Sequence, residues 1–382
     1  MDTETWKPIV KEIFEHIDSG KPWIKEAASV PADAYRSKDR RTAEQNMIES
    51  MPQVVGLSAD LPEVGSYFTR DNMSIPLVVM RGKDGVARGF ANVCVHRCAT
   101  VVRDGRGCRK KHTCHYHGWT YGNNGKLIGV PSREYFPDIK VGIDGLTELP
   151  TFEKHGVIWV ILRPAPGANN EAPDLGSFGK DFEALDVPGQ EHWESQRFEL
   201  NMNWKLVMDT FMETYHVSAL HPKTAGPVFM ANLYLSEQQG PHLRHVSVRH
   251  SIKKFKETPL SEWNPTDHTT LMYVLFPNSI LTYNKDHVET WRILPHPTDP
   301  SKSTADFDFY IPAGARSESA TRHWELSSKL LINTIEEEDF VAMEGVQKGI
   351  DSGVIDELQI GANEAGLSMY HSALKGALEA AA

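Results

Sequence analysis

The chain has 382 residues, 40% hydrophobic and 24% charged, with a formal net charge of -11. That length allows two domains with separate cores, and the acidic balance argues against nucleic acid as a partner, since phosphate binding relies on a basic surface. No apolar run reaches membrane-spanning length and the start, Met1 to Pro8, has neither the basic nor the apolar region of a signal peptide, so the expectation is a cytoplasmic protein without membrane contact.

In chain order, a helix is expected over about Thr5 to Asp18. Between about Met51 and Arg163, short β-type runs such as Ile75 to Met80 and Gly156 to Leu162 alternate with Gly-rich turns. Within this stretch lie Cys94-Val95-His96-Arg97 and, with seventeen residues between His96 and Cys114, Cys114-His115-Tyr116-His117-Gly118-Trp119. Each loop offers one thiolate and one imidazole, which is a metal-binding donor set. A Rieske [2Fe-2S] centre puts two Cys on one iron and two His on the other, and the imidazoles raise its potential. Tetrahedral zinc is the competing reading, although zinc patterns usually set C-x2-4-C ahead of H-x3-5-H. Cys98 and Cys108 are left over and are expected to be small buried thiols, not a disulfide. Arg103, Arg106, Arg109, Lys110 and Lys111 lie between the two pairs, either as a solvated loop or as a docking patch for an acidic redox partner.

Pro164 to Asn170 reads as a linker that sets 166–382 apart from what precedes it. Beyond it, Asn203-Trp204-Lys205 opens an amphipathic run ending at His216, on which Asp209, Glu213 and His216 would share one helical face. Such groups are expensive to bury without a metal or a hydrogen-bond relay. His221 lies five residues after His216, so the helix must distort or end before Pro222. Strands are expected over Thr269 to Phe276, Ser279 to Tyr283 and Val288 to Leu294. Asn333 to Gln347 reads as a helix with Ile335, Phe340, Met343 and Val346 as its apolar face, Asp339 beside it, and Glu336, Glu337 and Glu338 as solvated surface. The Ala-rich end, Ala373 to Ala382, is expected to fray. Two His and a carboxylate on one iron leave positions open for dioxygen and substrate.

In this order, C-x-H-R, C-x2-H-G-W, N-W-K, E-x-Y-H-x4-H and the late E-D carboxylate resemble the catalytic (alpha) subunit of the Rieske non-haem iron oxygenases over nearly the whole chain. The resemblance implies an α+β fold: a Rieske-type antiparallel β domain at 46–165, and a helix-grip (START-like) catalytic domain with a curved antiparallel sheet at 166–382. Segment 1–45 would pack on the catalytic domain. It implies that Cys94, His96, Cys114 and His117 hold the [2Fe-2S] cluster, and that His216, His221 and Asp339 hold mononuclear Fe(II). Glu213 would bridge His216 and His117 of the partner subunit for electron transfer within a homotrimer, or a trimer of dimers. Many members of the family have Asp at that position, and the Glu is a departure shared with the carnitine and choline or betaine type monooxygenases. Asp209 is either hydrogen-bonded to an iron His or a partner for Lys205.

The activity so implied is that of a terminal oxygenase component, using O2 and electrons from NAD(P)H through a reductase, with or without a ferredoxin. The substrate would be a small organic molecule that is hydroxylated, dealkylated or dihydroxylated. An aromatic compound is the first reading, an acid being held by Arg244, Arg249 or Arg292. A quaternary ammonium compound in an aromatic cage is the alternative. Pocket candidates are Met208, Phe229, Met272, Tyr283 and Trp291, with Phe211, Met230, Tyr234 and Val274. The reading from another class is a zinc-stabilised, non-enzymatic ligand-binding protein, which leaves the coincidence of His216, His221 and Asp339 unexplained.

Overall fold

Alternating side chains on short strands need a buried surface on each side, and the Leu77–Arg81 strand shows how this chain supplies both. The structure, a computed structural model, describes residues 3–21, 23–103, 105–165, 170–259 and 264–381, so the linker residues 166–169 lie outside the described residues. It divides into one unit of Glu49–Pro173 and another of Met1–Ile48 with Asp174–Ala382. Among the described residues no helix is long and apolar enough to cross a membrane.

The Glu49–Pro173 unit is antiparallel throughout. One sheet runs in the order Glu148–Leu149, Ala87–Ala91, Leu77–Arg81, Ser66–Arg70, Arg106–Cys108. A second joins Thr151–Lys154, Val157–Val160 and Gln53–Leu57, and a third Lys111–Thr113, Thr120–Gly122 and Leu127–Gly129. Leu77 and Val79 point into a core with Val55, Phe68, Ile158 and Val160. Val78 and Met80 point the other way, into a core with Phe90, Trp119, Tyr121 and both Cys94 and Cys114.

The other unit is built on a seven-stranded antiparallel sheet in the order Gln190–Leu200, Ser303–Pro312, His287–Pro295, Ser279–Asn284, Thr269–Leu275, His242–Arg249, Phe229–Gln239. Its Thr269–Leu275 strand is buried at every position, because helices cover both faces of the sheet. Cross-strand partners project to the same face. Trp291 faces Ile280 and Phe307, and Met272 faces His245 and Thr282. This face meets the Trp204–Phe211 helix where Phe211 lies 5.4 Å from Trp291, ring to ring, and meets Phe340 at 6.3 Å. Arg244, Tyr273, Tyr283 and Arg292 belong to the opposite face, where Phe178 and Phe182 of the Ser177–Ala184 helix pack on Tyr273.

Three helical expectations are corrected. The run from Asn203 does not continue to His216 but ends at Phe211, and a short helix, Val217–Leu220, follows. Its cause is Glu213, whose carboxylate accepts from the N–H groups of Tyr215 and His216 and so competes with the helical ladder. The segment around Asp339 is helical, but Ile335–Phe340 forms a π-helical turn between Glu318–Thr334 and Val341–Asp351, and Val346 is exposed. The Ala-rich end belongs to a helix, Ala365–Ala381, anchored by buried Tyr370 and Leu374.

Candidate metal centres

The two Cys/His loops repeat one backbone pattern. Cys94 N–H donates to Ala99 O at 2.8 Å and Cys98 N–H to Cys94 O at 2.9 Å; Cys114 N–H donates to Trp119 O at 2.8 Å and Gly118 N–H to Cys114 O at 3.0 Å. The fourth residue after each Cys is therefore left-handed, Cys98 at φ 57° and Gly118 at φ 75°. Cys94 and Cys114 are buried, His96 is half-buried and His117 is exposed. The two imidazole rings lie 4.5 Å apart, and Trp119 stacks on His96 at 4.7 Å. The Tyr121 hydroxyl lies 3.1 Å from Cys94 Sγ. Thiolates inside and imidazoles outside on neighbouring loops fit the donor set of a Rieske cluster. Burial and the neighbouring Cys94 push the Tyr121 hydroxyl above its ordinary value, so it stays a proton donor.

Cys98 and Cys108 are both exposed, contrary to expectation. Cys98 occupies the left-handed turn, and Cys108 ends an edge strand with Sγ 3.6 Å from Val64 O. Of the basic loop residues, Arg106 pairs with Asp60 and Arg109 lies over the Tyr67 ring at 5.6 Å, while Arg103, Lys110 and Lys111 are exposed.

In the other unit His216, His221 and Asp339 converge, each offering a ligand atom within 4.8 Å of the others. Asp339 Oδ1 is 3.1 Å from His221 Nε2 and 3.5 Å from His216 Nε2. The π turn places Asp339 inward, and such turns recur at functional sites. Each Nδ1 is held from behind, that of His216 by Glu213 and that of His221 by Glu338. Both Nε2 atoms are thereby directed at the shared space. Three carboxylates surround two imidazoles, and among the described residues no Lys or Arg pairs with any of them. Burial pulls His221 down, but Asp339 and Glu338 outweigh it and hold the imidazole above its ordinary value, which marks the site as one that favours a cation. Two imidazoles and one carboxylate fit a mononuclear Fe(II).

Glu338 was expected among solvated acids; instead it bonds His221 and accepts from Thr224 at 2.9 Å. One missed signal was its place directly before Asp339, which the π turn rotates inward with it. Asp209 bonds neither iron His nor Lys205. It accepts from Tyr35 at 2.7 Å and pairs with His371 at 2.8 Å, while Lys205 Nζ donates to Glu44 at 2.7 Å.

The pocket candidates separate. Tyr283 lies on the sheet face opposite the His216, His221 and Asp339 cluster, and Met208 and Trp291 have no exposed surface, Trp291 being enclosed by Phe198, Phe211, Phe307 and Phe340. Met272 is on the face toward the iron residues, and Phe229 is half-buried under Arg249.

Residues 51–152 match the Rieske [2Fe-2S] domain, and residues 188–380 match the ring hydroxylating alpha subunit (catalytic domain). The chain is 26% identical over 313 residues to choline monooxygenase, chloroplastic, of Atriplex hortensis, covering 78% of this chain and 66% of that protein. It is 25% identical over 300 residues to the carnitine monooxygenase oxygenase subunit of Acinetobacter baumannii, covering 78% of both. The anthranilate 1,2-dioxygenase large subunit of Burkholderia cepacia is 30% identical over 216 residues, 51% of this chain and 48% of that protein. In fold, the chain superposes on the quaternary ammonium Rieske monooxygenase CntA in complex with L-carnitine with a TM-score of 0.75 at 20% identity, covering 94% of this chain and 96% of that one. With both domains matched in order and the catalytic match extending over half its length, the chain belongs to the Rieske non-haem iron oxygenases as a catalytic alpha subunit.

Proposed function

We propose that this subunit is the terminal oxygenase of a multicomponent monooxygenase acting on a small quaternary ammonium compound, with electrons from NAD(P)H delivered through a reductase. The observation that carries the oxygenase chemistry is the convergence of His216, His221 and Asp339 with both Nδ1 atoms already engaged. The names of the relatives support the substrate class over the aromatic reading, and Glu213 agrees with it. When bound, the iron would activate dioxygen and the cluster would supply single electrons.

The residues' own work is positional. Glu213 and Glu338 fix the imidazole planes, and Asp339 completes a three-ligand set that leaves coordination sites free. Cys94, Cys114, His96 and His117 would hold the cluster, and Glu213 would link it to the iron of the partner subunit in a homotrimer. Exposed Arg103, Lys110 and Lys111 would steer the acidic electron donor.

The test starts with iron, zinc and acid-labile sulfide analysis and EPR before and after dithionite. About three irons and two sulfides per chain are expected from one cluster and one mononuclear site. Turnover in 18O2 with choline, glycine betaine, L-carnitine, benzoate and anthranilate then reads the substrate class. Label in the aldehyde formed from a quaternary ammonium substrate, with the matching amine released where a C–N bond breaks, supports the proposal. Label only in the aromatic acids would refute the substrate class, and a colourless zinc protein would refute the cofactor assignment.

A further inference from the structure

The three arginines named as candidate anchors, Arg244, Arg249 and Arg292, all lie in the seven-stranded sheet, and they differ in what neutralises them. Arg244 pairs with Asp181 and Glu237, and Arg292 pairs with Asp308 at 2.8 Å and Asp306 at 3.8 Å. Both sit on the face away from the iron residues. Arg249 has the parity of His245 and Met272, so it is on the face toward them. Among the described residues its side-chain hydrogen bonds go to neutral oxygens, Thr270 Oγ1 at 3.1 Å and Asn284 Oδ1. Its Nε is buried and bonds to nothing among the described residues, and its guanidinium lies 5.5 Å from the Phe229 ring centroid. The neighbouring acids Asp286 and Glu289 are engaged by His287, each at 2.9 Å. A guanidinium drawn out of water without a carboxylate is costly, and an anion in the adjacent space would offset that cost.

That space is a cavity of about 680 Å3 lined by Arg249, Lys285, His250, His268, Phe255 and Asp267, the single acid among the described lining residues. It is of a size that takes a small organic molecule. Pro227 and Val228 form another part of its wall, and they continue directly from the His221 turn. Gly226 N–H donates to His221 O at 2.8 Å, and His250 N–H donates to Val228 O at 2.9 Å, so two hydrogen bonds lead from the iron ligand to the neighbour of Arg249. A Cβ at Gly226 would meet His221 O at 2.7 Å, which keeps this wall close to the ligand.

We propose that the substrate carries a carboxylate and that Arg249 binds it in this cavity, with Lys285 adding to the positive field. Resting on the reading under "Proposed function", this deepens it: the substrate is a zwitterion, quaternary ammonium at the reacting end and acid at the other. Glycine betaine and L-carnitine have that form, whereas choline ends in an alcohol.

The experiment is calorimetric binding to the metal-loaded full chain, comparing glycine betaine with choline and benzoate with benzamide, in wild type, Arg249→Gln and Arg249→Lys. A charge-assisted, bidentate contact predicts that wild type prefers the acid by about 10- to 100-fold. Arg249→Gln should bring the ratio close to one with iron and sulfide content unchanged, and Arg249→Lys should recover part of it. A wild type indifferent to the carboxylate, or an Arg249→Gln variant that keeps the preference, overturns the proposal. Should Arg249→Gln not fold, the ratio is read in Lys285→Gln, where a severalfold loss supports the proposal and an unchanged ratio overturns it. An Arg249-dependent preference confined to benzoate would leave the anchor standing and refute both the zwitterion and the quaternary ammonium reading. An Arg249-dependent preference without 18O product would leave the anchor standing and refute the oxygenation of these compounds.

Discussion

Each imidazole at the proposed iron site is oriented by a carboxylate behind it, and the two carboxylates come from different places. Glu213 stands three residues before its His, whereas Glu338 reaches His221 from the π turn. Glu338→Ala should lower iron affinity by about 10- to 100-fold while leaving the [2Fe-2S] spectrum intact, measured as iron retained against a chelator; unchanged retention would show that His221 needs no orienting partner. Cys98 is a different case. At φ 57° its side chain strains a turn that Gly118 makes freely in the twin loop, so Cys98→Gly should stabilise the loop by about 1 kcal/mol without loss of the cluster. Thermal unfolding followed at the cluster absorbance would show it, and a bleached variant would mean that the thiol has a role in assembly. At this scale the spacing nominated His216, His221 and Asp339, and the structure brings their ligand atoms within 4.8 Å of one another. Glu338 was not legible in the sequence, since a π turn changes which neighbours of Asp339 point inward, and the exposure of Cys98 depends on a backbone angle that composition does not reveal.

At the scale of elements, the N-W-K motif explains how the helix before the iron ligands is seated. Asn203 caps it by accepting from Lys205 N–H, and its own N–H donates to Gln347 at 2.9 Å. Trp204 and Lys205 both donate to Glu44, which also accepts from Arg40 at 2.9 Å. Burial lowers the Lys205 ammonium and Glu44 opposes that. Glu44→Ala leaves a buried cation unpaired and should cost about 3–5 kcal/mol in denaturant unfolding; a loss below 1 kcal/mol would show that water replaces the carboxylate. His287 makes a pH-sensitive joint. Burial lowers its imidazole, but Asp286 and Glu289 outweigh it and hold it at about 9. Its stabilisation is complete below about 6.5 and lost as pH rises through about 9, a difference on the order of 3 kcal/mol. Stability measured from pH 6 to 10 should fall in this window, and His287→Asn should flatten the fall. The strands were readable from apolar runs buried on both faces. The helix end at Phe211 was not, because Glu213 diverts the chain through local hydrogen bonds that periodicity does not register.

For the whole molecule, the proposed route of electrons runs between subunits, and Glu213 is its proposed link. Glu213→Gln should keep both metals yet lose most product formation, with the cluster still reduced by dithionite; full turnover would remove Glu213 from the path. Domain order was legible from the order of the motifs, whereas the substrate was not. Tyr283 and Arg249 look alike as candidates in the sequence, and only strand register puts them on opposite faces.

The Leu77–Arg81 strand lends Val78 and Met80 to the core that contains Cys94 and Cys114, and Leu77 and Val79 to the core behind it. With one strand shared, melting either core should disturb the other and the unit should unfold cooperatively. The energy gained by filling the proposed cluster loops would then protect side chains well beyond those that touch it, and cofactor insertion would double as a folding checkpoint.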